Sequence, residues 1–209
     1  MSEPTIKRLY IIRHGETELN KNKVVQGRGV DADLNDTGRA QAEAFYQRYK
    51  NVPFDKIYTS ALKRTHQTVA KFIEKGIAWE QLPGLDEIAW GNYEGKKHSP
   101  ELDASFIALV ESWNKGQYDN KAEGGESPNE VHIRQMEAIA HILSHRDEKT
   151  VLVCMHGRAL RLLLCGLMKK PFDQMEDFPH QNTSLYILDY DYERDLFMIE
   201  TFNSTAHLQ

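Results

Sequence analysis

Three short stretches carry side chains whose types and spacing suit phosphate chemistry. Arg13-His14-Gly15-Glu16-Thr17 sets an imidazole beside a guanidinium and follows both with a glycine. An imidazole can attack phosphorus as a nucleophile. A guanidinium binds two phosphate oxygens through its fork, and a glycine lets backbone N–H groups approach those oxygens. Ser60 to Arg64 adds a hydroxyl and a second guanidinium, and Met155-His156-Gly157 adds a second imidazole and glycine. Taken singly, Arg-His-Gly is more often a satisfied turn histidine beside a surface arginine. All three stretches, however, follow strand-like runs, and ligands of open α/β sheets bind beyond the carboxyl ends of the strands.

The elements that must position these groups can be read from hydrophobic pattern and turn chemistry. The sequence predicts a strand over 6–12, a helix over 36–49 ended by Pro53, and a strand over 56–59. Ser60 is read as the N-cap of a helix running to about residue 74. Residues 82–87 read as a third extended segment, 101–113 as a helix, and 116–126 as a polar, glycine-rich loop. Ser127-Pro128-Asn129-Glu130 is a helix start: Ser caps, Pro takes the first helical position, and Glu completes a capping box. That helix reaches about His145. Residues 150–155 are a buried strand, followed at once by His156-Gly157 and a helix through Met168 that stops before Pro171. Alternating runs at 183–190 and 196–202 close the chain as a hairpin. Strands alternating with helices predict an α/β fold, a three-layer αβα sandwich with a mostly parallel central sheet. One domain is expected over 1–209, with a lid-like insertion at about residues 90–127.

Composition narrows the possible partners. With 40% hydrophobic and 27% charged residues, the chain can build a full core without staples. A net charge of −5 argues against nucleic acid, whose binding surfaces are basic. Local arginines can still attract an anionic small molecule. Cys154 and Cys165 lie in apolar runs and read as buried thiols, with no disulfide framework and no metal spacing. The apolar run 160–168 is broken by Arg161 and Gly166 and is too short to span a bilayer. A strand-like run begins at Ile6 with no leader before it, so a cytoplasmic protein without membrane attachment is expected. Oligomeric state is not legible.

Several further signals take the plainer reading. His141 and His145, four apart on a helix, lack a third ligand and read as solvated. Lys96-Lys97-His98 reads as an exposed loop. Trp90, Tyr93, Trp113 and Tyr118 either line a pocket or pack the lid, and at least one of Arg158 and Arg161 is expected to face solvent. For Glu16 and Glu94 a structural role is as reasonable as a catalytic one.

The ordered set of motifs resembles the histidine phosphatase superfamily, also called phosphoglycerate-mutase-like. The resemblance begins with Arg13-His14-Gly15-Glu16-Thr17 and Asn20, then Gln26-Gly27, and then Leu34-Asn35 with Gly38. It continues through Ser60-Ala61-Leu62-Lys63-Arg64-Thr65-His66-Gln67-Thr68 and Leu85-Asp86-Glu87-Ile88, then Trp90-Gly91-Asn92-Tyr93-Glu94-Gly95. Gly125-Glu126-Ser127 and Met155-His156-Gly157 complete it, in family order and across nearly the whole chain. The resemblance implies that His14 is a nucleophile that becomes phosphohistidine. It implies that Arg13, Arg64 and His156 cradle the phosphoryl oxygens, and that Glu87 is the general acid. Asn20, Gln26, Gly27 and the backbone N–H of Gly157 are implied contacts to substrate or phosphate.

Elementary chemistry agrees with that set. Phosphoryl transfer spreads negative charge over the equatorial oxygens, and two arginines with a histidine can meet it without a metal or cofactor. One carboxyl can protonate the leaving oxygen and later accept a proton from water. Next to a dianionic phosphate such a carboxyl holds its proton more tightly than in water, so an acidic to neutral pH optimum is expected. The expected activity is hydrolysis of a small phosphomonoester, a histidine acid phosphatase-like reaction. The alternative is a mutase that returns the phosphoryl group to another hydroxyl. A non-catalytic phospho-ligand binding module is a third reading. The segment between Glu87 and Gly125 favours the phosphatase, because it looks short and Trp90 to Gly95 resembles that branch.

Overall fold

In the computed structural model, which describes residues 5–97 and 99–209, the apolar runs become strands of one six-stranded sheet. The strands are β1 (Ile6–Arg13), β2 (Lys56–Thr59), β3 (Trp79–Gln81), β4 (Thr150–Met155), β5 (Leu185–Asp191) and β6 (Leu196–Ser204). Their order is β3-β2-β4-β1-β5-β6. The first four are mutually parallel, and the β5–β6 hairpin adds to β1 antiparallel. β4 is central and covered on both faces, which is why its sequence Val-Leu-Val-Cys-Met is apolar at every position rather than alternating.

The described residues also form seven α-helices: α1 (Glu18–Lys21), α2 (Asp36–Tyr49), α3 (Lys63–Thr68), α4 (Ala70–Glu74), α5 (Pro100–Asn114), α6 (Pro128–Ser144) and α7 (Gly157–Leu167). Successive strand residues point to opposite faces. Leu9, Ile11, Val151 and Val153 therefore pack with Val131 and Ile139 of α6 and Leu160 and Leu163 of α7. Ile12, Leu152 and Cys154 pack on the other face with Phe45 of α2 and Phe72 of α4. The result is the three-layer α/β sandwich that the alternation predicts. Both cysteines are buried free thiols. Among the described residues, no helix is long and apolar enough to cross a membrane.

The capping box at Ser127 forms as read: Ser127 Oγ accepts from Glu130 N at 3.3 Å, and the Glu130 carboxylate accepts from Ser127 N at 2.9 Å. Two expectations need correction. Ser60 does not cap a helix reaching residue 74. The helix starts at Lys63 after Leu62, breaks at Val69, and resumes as α4. Thr68 Oγ1 donates back to Arg64 O at 2.6 Å, a local bond that competes with helix propagation. Residues 82–87 are not an extended sheet segment. The edge strand is Trp79–Gln81, and a 3₁₀ turn at Pro83–Leu85 carries the chain away from it.

Candidate active site

β1 and β4 are hydrogen-bonded neighbours with Arg13 in register with Met155, so the residues just beyond them emerge together. His14 and His156 are those residues, their ring centroids 5.1 Å apart at 58°. Gly15 N donates to Thr68 Oγ1 at 2.9 Å, which ties the turn after β1 to α3. A side chain on Gly15 would meet the carbonyl oxygen of Gly38 at 2.6 Å, so only glycine fits that crossing.

The protonation of both rings follows from their neighbours. His14 Nδ1 faces the carbonyl of Gly15 at 2.7 Å, so Nδ1 carries the proton and Nε2 keeps its lone pair. Burial, reinforced by the charges of Arg64 and Arg13, holds His14 well below the usual histidine range. At His156, Nδ1 accepts from Arg64 Nε at 3.2 Å, so the proton is on Nε2, which donates to Ser60 Oγ at 2.7 Å. Burial and Arg64 keep this ring neutral as well.

Arg64 is fully buried on α3. Its Nη1 donates to Val30 O at 2.7 Å and its Nη2 to Gly27 O at 3.3 Å, so the 27–30 loop fixes the fork. Burial lowers its pKa, against the opposing pull of Glu87. Arg13 donates from Nη1 to His180 Nδ1 at 3.3 Å, while its Nε is buried without a partner. Burial brings Arg13 down to about 10.

Glu87 reaches the same place from the other side. One of its oxygens accepts from Ala159 N at 2.8 Å and Ile88 N at 2.9 Å, the other from Arg158 N at 3.1 Å. The carboxylate thereby caps α7, whose N-cap residue His156 gives it no side-chain cap, and its charge complements the positive end of the helix.

The remaining expected residues are held by contacts of their own. Gln26 Nε2 donates to Thr17 Oγ1 at 2.7 Å, and its Oε1 is buried without a partner. Asn20 closes a capping box with Thr17 and accepts from Asn182 Nδ2 at 3.3 Å. Gly27 packs under Glu94, whose carboxylate would lie 2.1 Å from any added Cβ. A Cβ on Gly157 would meet the His180 ring at 2.6 Å.

His180, Asn182 and Arg134 were not anticipated. His180 lies between Arg13 and Gly157, and burial with the charges of Arg13, Arg161 and Arg158 takes it down to about 2. A lone histidine in a Pro-His-Gln stretch carries no local signal of this role. Arg158 and Arg161 are both 16% exposed and converge on Glu176, so neither projects freely into solvent as expected. Trp90 stacks on Trp113 at 5.8 Å and meets Phe106 at 4.9 Å, so these rings pack α5 onto its base. Tyr93 also packs on Phe106, and Tyr118 on Phe172. Glu94 accepts from Trp90 N and Glu16 from Asn35 Nδ2, both structural contacts. His141 pairs with Glu80 at 2.8 Å, and the described residues hold no cluster of three or more metal-ligand side chains. Lys96 and Lys97 are exposed, and His98 lies outside the described residues.

Comparison with known proteins places this arrangement. Residues 9–205 match the family described as the histidine phosphatase superfamily (branch 1). The chain is 31% identical to the broad-specificity phosphatase YOR283W of Saccharomyces cerevisiae, covering 97% of this chain and 88% of that protein. It is 31% identical to the probable phosphoglycerate mutase GpmB of Photorhabdus laumondii subsp. laumondii, covering 96% and 94%. The solved structure of Bacillus stearothermophilus YhfR superposes with a TM-score of 0.85 at 29% identity, covering 97% of this chain and all of that one (100%). With paired histidines at adjacent strand ends and a match over nearly its full length, the chain belongs to branch 1 of the histidine phosphatase superfamily.

Proposed function

We propose that this protein is a phosphatase that hydrolyses a small phosphomonoester through a phosphohistidine at His14. The observation that carries the reading is the neutral His14 ring, with Nδ1–H tied to Gly15 O so that Nε2 keeps its lone pair, under the positive charges of Arg64 and Arg13. In the first step Nε2 attacks phosphorus and the P–O bond to the leaving group breaks. Glu87 gives the departing oxygen its proton. In the second step Glu87 takes a proton from water, the hydroxyl oxygen attacks phosphorus, and the P–N bond breaks to release phosphate. Arg13 and Arg64 carry the negative charge of the transferred group, with no metal required. His156 Nε2–H, which donates to Ser60 here, is the donor it can turn to a phosphoryl oxygen. Asn20, Gln26, Gly27 and the Gly157 N–H complete the contacts to substrate.

Residues 90–127 act as the lid of one domain, anchored by the packing of Trp90 on Trp113 and Phe106. The relatives named probable phosphoglycerate mutases keep one rival in view, transfer to a second hydroxyl. The deciding experiment is phosphate release from 4-nitrophenyl phosphate and a metabolite panel, with EDTA present and His14→Ala as the blank. Turnover should survive the chelator and vanish in the variant, and an acid-labile phosphoryl label should require His14. Isomerisation of 3-phosphoglycerate without net phosphate release would establish the rival instead.

A further inference from the structure

The Gly125-Glu126-Ser127 motif has no part in the chemistry above, yet Glu126 makes one of the most fully bonded contacts near the site. Arg134 of α6 uses all five of its N–H donors. Nε and Nη2 hold the two oxygens of Glu126 at 2.9 Å each. Nη1 reaches the carbonyls of Gly84 and Asp86, each at 2.9 Å, and Nη2 reaches the carbonyl of Glu87 at 3.0 Å. Glu126 in turn accepts from Ala89 N at 2.9 Å.

These bonds replace a sheet. Residues 84–87 have left the β3 edge, and Arg134 supplies the partners of the Gly84, Asp86 and Glu87 carbonyls, since an unpaired buried carbonyl is costly. A side chain on Gly84 would meet Arg134 O at 2.5 Å, so the turn rests directly on α6. Asp86 is fixed from a third side by Ala61 N at 2.8 Å and Arg28 Nε at 3.0 Å. The backbone of Glu87 is thus held from α6, while its carboxylate faces the start of α7.

We infer that Arg134, locked by Glu126, is the positioning residue that sets the Glu87 carboxyl against the leaving oxygen. The inference rests on the acid role proposed for Glu87. A general acid must lie within hydrogen-bond reach of its target, and a misplacement of about 1 Å can cost about 100-fold in rate. A clamp on three carbonyls within four residues of backbone is a device for that tolerance.

The test compares Arg134→Lys, Arg134→Gln and Glu126→Gln with Glu87→Gln on two substrates. 2-Glycerophosphate has a poor alkoxide leaving group that needs a proton, whereas 4-nitrophenolate leaves without one. Arg134→Gln should lower kcat/KM, which reports phosphoryl transfer to His14 and not the shared water step, by about 100-fold on 2-glycerophosphate and by less than about 5-fold on 4-nitrophenyl phosphate. In a Glu87→Gln background the same substitution should add almost nothing, because both act on one proton transfer. Arg134→Lys and Glu126→Gln, which keep a charge or a shape in the clamp, should give smaller losses with the same substrate preference. They also carry the test should Arg134→Gln fail to fold. Equal losses on both substrates, or full additivity with Glu87→Gln, would overturn the inference and leave Arg134 a support of the fold. If Arg134→Gln behaves like wild type on both substrates, the inference fails too. A Glu87→Gln enzyme with no leaving-group preference would remove the acid role itself, and the inference with it.

Discussion

Arg64 donates Nε–H to Nδ1 of His156 at 3.2 Å, and that contact decides where the imidazole keeps its proton. The guanidinium has no lone pair to accept with, so His156 must accept there and donate from Nε2. One arginine therefore fixes the tautomer of its neighbour and, in the proposed mechanism, also shapes the phosphoryl cradle.

Arg64→Lys tests that double duty. A lysine ammonium cannot reach Val30 O, Gly27 O and His156 Nδ1 from one nitrogen in the planar geometry the fork provides. We expect kcat/KM on 4-nitrophenyl phosphate to fall by about 10²–10³-fold, with a lower Tm from the loosened 27–30 loop. Activity close to wild type would take Arg64 out of the cradle.

Acid should weaken the fold through its histidines. His14 and His156 are held neutral in the folded state, with pKa well below the ordinary value. On unfolding they regain a pKa near 6.5 and bind protons, so stability is lost as pH falls below that value. The urea midpoint should drop between pH 7 and 5, and His156→Asn should flatten that slope. A midpoint unchanged over this range would contradict neutral buried rings.

Gly157→Ala should act through His180. The added Cβ lies 2.6 Å from the ring, which must move and release Arg13 Nη1. A loss of about 10-fold or more in kcat/KM is expected, and His180→Ala, which also leaves Arg13 Nη1 without its partner, should give a loss of similar size. Wild-type rates from Gly157→Ala alone would show that Arg13 does not depend on His180.

Glu87→Gln separates catalysis from capping. The carboxamide still offers one oxygen to the first turn of α7 but sets its NH₂ against a backbone N–H, so Tm should fall. In kcat/KM, which reports phosphoryl transfer to His14 and not the later water step, alkyl phosphates should slow by about 10²–10⁴-fold and 4-nitrophenyl phosphate much less. Equal slowing of both in kcat/KM would remove Glu87 from the acid role.

The sequence disclosed what is local. Strand ends at Arg13 and Met155 were legible because apolar runs stop abruptly at charged or glycine-flanked residues. The start of α6 was legible because Ser127, Pro128 and Glu130 each act within one turn. Residues 82–87 were misread because their backbone partners come from Arg134, distant in sequence. Ser60 has the residue type of a helix cap, yet its hydroxyl is paired with Leu62 N and, across the fold, with His156. His180 enters the site only through the close approach at Gly157, and a single sequence gives no measure of that distance.

Strand order has a further consequence for how the molecule is made. β4 lies between β1 and β2, yet it is synthesised after both. A nascent chain that stops short of residue 150 already holds Arg13, His14, Arg64 and Glu87, but β1 and β2 have no common neighbour to bring them together. The imidazoles of His14 and His156 gain their common surroundings only when the segment from residue 150 onward docks and sets β4 at the middle of the sheet.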